Sequence, residues 1–96
     1  MMVRIYAVYD KKAEAYLAPF TFPHDGQALR AFSDTVNDES TQFYRHADDF
    51  DLYSLGTFDQ ESGEFQNEKH FLAGARFVLE PVPDGPVGSL DEKERK

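Results

Sequence analysis

Residues 3–9 read Val-Arg-Ile-Tyr-Ala-Val-Tyr, a composition typical of a β-strand. β-Branched and aromatic residues favour extended backbone, which supports this assignment. Alternate side chains leave a strand on opposite sides, so Val3 and Ala7 share one face while Tyr6 and Val8 share the other. Because both faces carry apolar side chains, we expect this strand to be central in its sheet or covered on both sides.

The segment that follows predicts an antiparallel partner for this strand. Residues 10–13 are polar and form a connection, and residues 15–22 predict a second strand that returns along the first. Pro19 has no N–H to donate to a β-ladder, so it marks an edge or a bulge. We therefore expect an N-terminal β-hairpin.

One amphipathic helix is expected after the hairpin. Residues 23–26, Pro-His-Asp-Gly, end the strand, and Asp25 is the candidate N-cap because its carboxylate can accept bonds from free N–H groups. Asn37 and Asp38 end the helix. Apolar residues between these limits recur three to four positions apart and form one stripe, which consists of Ala28, Leu29, Phe32 and Val36.

The second half of the chain predicts further antiparallel strands. A short helical turn near residues 40–46 precedes a third strand over 51–58. The turn signal at 59–63 begins a second hairpin, and residues 64–66 start its return strand. Over residues 70–79 helix and strand compete, and the balance favours strand because of Gly74 and the Phe and Val content. The expected fold class is α+β, with a small antiparallel sheet and one main helix packed on it.

The length and the C-terminal composition predict one domain with a tail. Ninety-six residues leave room for a single domain, which we place at residues 1–80. Residues 81–96 are rich in Pro, Gly and charge, and we expect them to be flexible. A domain this small has a thin margin of stability, so an exposed edge strand favours a homodimer.

The composition excludes several classes of function. There is no Cys, so disulfides, thiolate metal sites and cysteine nucleophiles are excluded. The N-terminal segment lacks the apolar run of a signal peptide and no stretch is long enough to span a bilayer, so we expect a cytoplasmic protein without membrane contact. Eighteen acidic residues against ten basic residues give a net charge of −8, which on average opposes binding to a polyanion.

The densest polar cluster lies at residues 46–51, where His46 is followed by Asp48, Asp49 and Asp51. Carboxylates and an imidazole can bind a hard divalent cation, but all of these groups lie in one short segment, and a solvated acidic loop explains them better. No nucleophile elbow or phosphate-binding glycine loop is present. We therefore expect no enzyme activity, metal or cofactor, and we treat the three aspartates as candidates for contact with a basic partner protein.

Aromatic and basic residues occur near one another in several segments. Single-stranded nucleic acid binds where aromatic rings stack on bases and cations follow the phosphates. The alternative is that the aromatic residues form the core and the cations are scattered over the surface, and the residues alone favour this alternative. The candidate nucleic-acid-binding residues are Arg4, Tyr6, Lys11, Lys12, Tyr16, Arg30, Arg45 and Arg76.

Three segments, at residues 5–13, 28–38 and 46–59, closely resemble the small non-structural protein of microviruses, especially the gokushoviruses, which are small single-stranded DNA phages. The likeness extends from about residue 3 to residue 65 and fades beyond that point. The resemblance implies an accessory role in phage genome replication inside the infected bacterium. In that role the protein would assist the switch to single-strand synthesis and packaging, and it would bind single-stranded DNA.

The acidic composition leaves a second interpretation open. The protein can instead be an interaction module whose acidic surface binds a replication initiator, a host replication protein or a component of the capsid. In that case Asp48, Asp49 and Asp51 would form part of the contact.

Overall fold

The strand at the N-terminus is the centre of the sheet in a computed structural model that describes residues 1–80. The tail predicted for residues 81–96 lies outside the described residues. The described elements are β1 (Met2–Asp10), β2 (Ala15–Tyr16), β3 (Phe20–Phe22), α1 (Asp25–Val36), α2 (Gln42–Arg45), a 3₁₀ turn (Ala47–Asp49), β4 (Phe50–Asp59), β5 (Phe65–Gly74) and α3 (Ala75–Val78).

All strand pairs in the described sheet are antiparallel. The order is β2–β1–β4–β5, and β3 pairs with β1 on the same side as β2. The prediction that the first strand is central is confirmed, and so is the α+β class. The single strand expected over residues 15–22 is instead divided into β2 and β3. Pro19 lies in the gap and cannot donate to β1, whereas Leu17 still donates its N–H to the carbonyl of Val8 at 2.8 Å.

Helix α1 has the predicted length but a different N-cap. His24 is the N-cap residue, with extended backbone, and Asp25 is the first helical residue. The Asp25 carboxylate does not cap the helix, because it accepts a hydrogen bond from the hydroxyl of Tyr6 at 2.7 Å. At the other end Asn37 is the C-cap, as expected.

The core lies between α1 and one face of the sheet. Helix α1 contributes Ala28, Phe32 and Val36, all of which are buried. The sheet contributes Tyr6 and Val8 of β1 together with Phe50 and Leu52 of β4, and these residues pack in the same cluster. Full burial of one such large side chain contributes about 1.5–3 kcal/mol, so this layer supplies much of the domain's stability.

The segment 70–79 combines both of the structures that competed in the sequence. Residues up to Gly74 continue β5, so the preference for strand was right there, and α3 then forms over Ala75–Val78, where that preference was wrong. Ala75 is fully buried against the core. The side-chain amide of Asn37 donates to the carbonyl of Val78 at 3.0 Å and accepts from the N–H of Glu80 at 2.7 Å, which ties this segment to the end of α1.

Ser54 is a polar residue inside this core. It is fully buried, and its hydroxyl has no hydrogen-bond partner among residues 1–80. We expect Ser54→Ala to raise the free energy of unfolding by about 1 kcal/mol, because an unpaired buried hydroxyl loses its hydration without compensation. Urea denaturation followed by circular dichroism measures the change. Ser40→Ala is the control, since it removes an exposed hydroxyl that donates to Asp38, and a destabilised Ser54→Ala would contradict the prediction.

Candidate nucleic-acid interface

The face of the sheet opposite α1 carries a row of aromatic side chains. Side chains alternate along β1 and β4, so Tyr9 and Tyr53 point away from the core that holds Val8 and Leu52. Tyr9 lies opposite Tyr16 of β2, and Tyr53 lies opposite Phe71 of β5. None of the described helices packs over these rings. We call Tyr9, Tyr16, Tyr53, Phe71 and the nearby Lys69 the aromatic face.

The four rings form one connected group across four strands. Ring centroids are 4.7 Å apart for Tyr9 and Tyr16, and 5.8 Å apart both for Tyr16 and Tyr53 and for Tyr53 and Phe71. Most of these pairs are edge-to-face, a geometry that contributes about 0.5–1.5 kcal/mol per pair beyond the buried area. Tyr16 is 40% exposed and Phe71 is 51% exposed. The group therefore holds its rings in fixed positions while leaving ring surface open to solvent.

Lys69 of β5 lies beside this group of rings. Its ammonium donates a hydrogen bond to the hydroxyl of Tyr16 at 3.0 Å. The same nitrogen is 5.4 Å from the ring centroid of Tyr16 and 5.8 Å from that of Tyr53. Because it also lies 3.0 Å from the hydroxyl of Tyr16, it is beyond the hydroxyl edge of that ring and not over its face. The hydrogen bond to Tyr16 raises the pKa of Lys69, so the side chain is charged at neutral pH. One cation is thus placed directly on the aromatic face.

Three of the predicted DNA-binding cations, Arg4, Arg76 and Lys11, are paired with carboxylates. The Nε atom of Arg4 is 3.7 Å from Asp25, on the side of the sheet that carries α1. Arg76 donates to both carboxylate oxygens of Asp48, at 2.7 and 3.0 Å, and these bonds lower the pKa of Asp48 and raise that of Arg76. Arg76 was expected on the last strand, but it lies in α3.

Lys11 is the predicted cation that lies nearest to the aromatic face. Its Nζ atom is 3.6 Å from a carboxylate oxygen of Asp51, and Asp51 lies directly opposite Tyr9 in the sheet. Lys11 is therefore at the border of the aromatic face, where its charge is partly offset by Asp51.

The remaining predicted cations lie elsewhere. Arg30 is exposed on α1, on the far side of the sheet. Arg45, at the end of α2, donates to the carbonyl of Ser40 at 3.3 Å. Lys12 lines a polar cleft of about 380 Å³ together with His46 and other residues of the loop. The structure therefore does not gather the predicted cations on one surface.

Tyr6 is not available to a ligand. Its side chain is fully buried against α1 and stacks on Phe20, with ring centroids 5.8 Å apart. Burial, reinforced by the hydrogen bond to Asp25, raises the pKa of Tyr6 far above its ordinary value. The prediction that Tyr6 stacks on a base is not retained, because a base cannot reach a ring inside the core.

The three predicted partner-binding aspartates are in different environments. Asp48 is exposed and paired with Arg76, whereas Asp51 is paired with Lys11 at the border of the aromatic face. Asp49 is half-buried and lines the polar cleft beside Lys12. No group of three or more His, Cys, Asp or Glu side chains suited to a metal ion occurs in the described part of the chain.

Four residues of the aromatic face were missed from the sequence, namely Tyr9, Tyr53, Lys69 and Phe71. The return strand of the second hairpin was predicted only at its first residues, near residue 65, and residues 67–69 were assigned to no element. A continuous strand over residues 65–74 would have placed Lys69 and Phe71, two positions apart, on the same face. The alternation of side chains between the two faces of a strand was therefore the signal that could have found these two residues.

Comparison with known proteins identifies the family. Residues 3–77 match the model of the family described as Phage ORF5 protein. The chain belongs to this family. Protein ORF5 of Chlamydia phage 1 is 36% identical over 64 residues, which cover 62% of this chain and 67% of that protein. Chlamydia phage 1 is a gokushovirus of the Microviridae, so the resemblance to microvirus small non-structural proteins is confirmed.

The Phage ORF5 match extends further than the likeness seen in the sequence. It reaches residue 77 and so includes β5 with Lys69 and Phe71, whereas the likeness was expected to fade after residue 65. No solved structure gave a significant match to the chain. Among residues 1–80, no helix has both the length and the apolar character required to cross a bilayer.

Proposed function

We propose that this member of the Phage ORF5 family is a non-enzymatic accessory protein of phage genome replication that binds single-stranded DNA on its aromatic face. The binding would take place in the cytoplasm of the infected bacterium. The observation that carries the proposal is the set of four packed rings with the Lys69 ammonium beside them, on a sheet face that no described helix covers.

The geometry of the rings supports binding to unpaired bases. A base that stacks on an aromatic side chain contributes about 1–3 kcal/mol, whatever its identity, because every base has a π-face. Tyr16 and Phe71 expose 40% and 51% of their surface, so ring area is accessible at both ends of the group. In a duplex the base faces are already stacked on one another, so the aromatic face should prefer single strands.

The same arrangement accounts for DNA binding by an acidic protein. Lys69 lies on the aromatic face and Lys11 at its border, so few phosphates would be neutralised. Affinity would then come mainly from stacking, for which the net charge of −8 is a smaller obstacle. If two phosphates are contacted, the logarithm of the binding constant should fall with the logarithm of salt concentration with a slope of about −1.4.

Titration of a fluorescein-labelled oligo-dT at several salt concentrations tests the proposal. We expect retention of the single strand with a shallow slope, between about −1 and −2, and much weaker binding to a duplex of equal length. The protein's own emission gives a second signal, because the chain has no Trp and three of its five Tyr lie on the aromatic face. Equal affinity for duplex and single strand would contradict the proposal. Affinity that falls as the protein concentration rises would indicate that a second copy covers the face.

A second candidate function is supported by Phe77 of α3, which is 86% exposed. An exposed aromatic side chain next to the Arg76–Asp48 pair fits contact with another protein, such as a phage or host replication protein or a capsid component. Replacement of Asp48, Asp49 and Asp51 by Lys, compared with Phe77→Ala, tests this candidate by affinity capture from infected cells. An unchanged set of captured proteins for both variants would exclude it.

A further inference from the structure

We infer that Phe65, at the opposite end of β5 from Phe71, is a second stacking position for the same single strand of DNA. The DNA strand then runs along β5 and passes Lys69 between the two positions. This inference rests on the proposed function and adds to it the path and the length of the bound strand.

Phe65 lies on the same face of the sheet as the four rings. Side chains alternate along β1, so Val3 points to the same side as Tyr9. Val3 is opposite Phe58 of β4, and Phe58 is opposite Phe65 of β5. Directly opposite residues of antiparallel strands point to the same side of a sheet, so the ring of Phe65 lies on the side away from α1.

The ring of Phe65 is held against the sheet and is open to solvent. Its Cζ atom is 3.0 Å from the position that a Cβ atom of Gly56 would take, so the ring rests where Gly56 has no side chain. Phe65 is nevertheless 48% exposed, close to the 51% of Phe71. A ring that is supported by the protein and has free surface is what a stacked base requires.

Asn67 and Lys69 lie between the two exposed rings of β5 and on the same face. Asn67 is opposite Gly56, which is opposite Ile5 on the Tyr9 side of β1. Lys69 reaches the four rings through its hydrogen bond to a tyrosine hydroxyl. Both side chains are exposed, so the amide can donate to a base or a phosphate and the ammonium can pair with a phosphate.

The distance between the two positions sets the length of the ligand. Phe65 and Phe71 are six residues apart, which at about 3.3 Å per residue corresponds to about 20 Å. Bases of a stacked strand follow one another at about 3.4 Å, so about six nucleotides span this distance. An oligonucleotide of three nucleotides is too short to stack at both positions. In a longer one the second contact is intramolecular, so it adds to the affinity.

Phe65→Ala is expected to affect long and short oligonucleotides differently. We expect its affinity for oligo-dT of ten nucleotides to fall about fivefold or more, since one stacked base is lost. Oligo-dT of three nucleotides binds at the four rings, so its affinity should stay within twofold of the wild type. Tyr16→Ala removes one of the four rings and should weaken the binding of both. Competition with a labelled oligo-dT, followed by fluorescence anisotropy, measures these affinities.

Gln66→Ala is the matched control on the same strand. Gln66 is opposite Thr57, which is opposite Arg4, and Arg4 lies on the side of the sheet that carries α1. The control therefore removes an exposed side chain from the other face and should bind both oligonucleotides as the wild type does. Phe65 is half-exposed, so its replacement is expected to leave the protein folded, which circular dichroism verifies.

The outcomes separate the inference from the proposed function. If Phe65→Ala binds the longer oligonucleotide as tightly as Gln66→Ala does, while Tyr16→Ala binds it more weakly, the second position is overturned and the aromatic face stands. If Phe65→Ala weakens both oligonucleotides by the same factor, the inference is overturned as well. If Tyr16→Ala leaves the binding of both unchanged, the proposed function itself fails.

Discussion

Gly56→Ala is expected to lower the free energy of unfolding by about 3 kcal/mol or more, a large fraction of the stability of a small domain. Gly56 has a φ of +151°, in the region that favours glycine. A Cβ atom at this position would overlap the backbone carbonyl oxygen of Gln66 and would lie 3.0 Å from the ring of Phe65. Because the obstacle is backbone of the neighbouring strand, relief requires that β4 and β5 separate.

Gly26→Ala is the matched control for this substitution. Gly26 lies in the first turn of α1, and a Cβ atom there would meet nothing within 4 Å. Alanine favours a helix over glycine by about 1 kcal/mol at most, so the control should be neutral or slightly stabilising. Thermal and urea denaturation of both variants measure the difference. Equal stability of Gly56→Ala and Gly26→Ala would contradict the close approach of β4 and β5.

The consequence of Gly56→Ala extends to the aromatic face. Gly56 lies where the pairing of β4 with β5 shifts register, and the same pairing places Tyr53 opposite Phe71. Separation of the two strands would move Phe71 and Lys69 away from Tyr53. We therefore expect the variant to bind oligo-dT weakly even at temperatures where it remains folded.

The combination of Tyr16→Ala and Tyr53→Ala is expected to lower the affinity for oligo-dT about 100-fold. Each ring offers one stacking surface, and each lost stack costs about 1–3 kcal/mol. Phe71 and Tyr9 would remain, so residual binding is expected at low salt. Fluorescence anisotropy with the labelled oligonucleotide measures the loss.

Tyr44→Ala is the control for the double variant. Tyr44 belongs to α2, which packs beside α1 and away from the aromatic face. The control should bind oligo-dT as the wild type does. An affinity of the double variant within twofold of the control, with both proteins folded by circular dichroism, would contradict base stacking on these rings.

Much of the fold could be predicted because its main elements have strong periodic patterns. Residues 3–9 indicated the central strand, and Ala28, Phe32 and Val36 indicated the buried stripe of α1. The division of the second strand near Pro19 and the short helix after Gly74 depend on contacts between distant segments. Asn37 shows this dependence, since it ends α1 and also binds the backbone of Val78 and Glu80. A local pattern does not contain such contacts.

Few of the residues of the aromatic face could be predicted from the sequence. The residues alone favoured aromatic residues in the core over rings that stack on bases, and Tyr16 is the candidate ring that lies on the aromatic face. Tyr6 was assigned to the same role because its neighbours in sequence do not reveal which face of β1 is covered by α1. The sequence does not indicate the ion pairs of Arg4 and Arg76, because their partners Asp25 and Asp48 are distant along the chain and come close only in the fold.

Two-dimensional NMR of the ¹⁵N-labelled protein, titrated with oligo-dT, tests most directly whether the aromatic face is the DNA site. We expect the largest shifts at the amides of Tyr9, Tyr16, Tyr53 and Phe71, and little change along α1. Shifts confined to α1, or an unchanged spectrum at low salt with oligonucleotide in excess, would contradict the assignment of the site to this face.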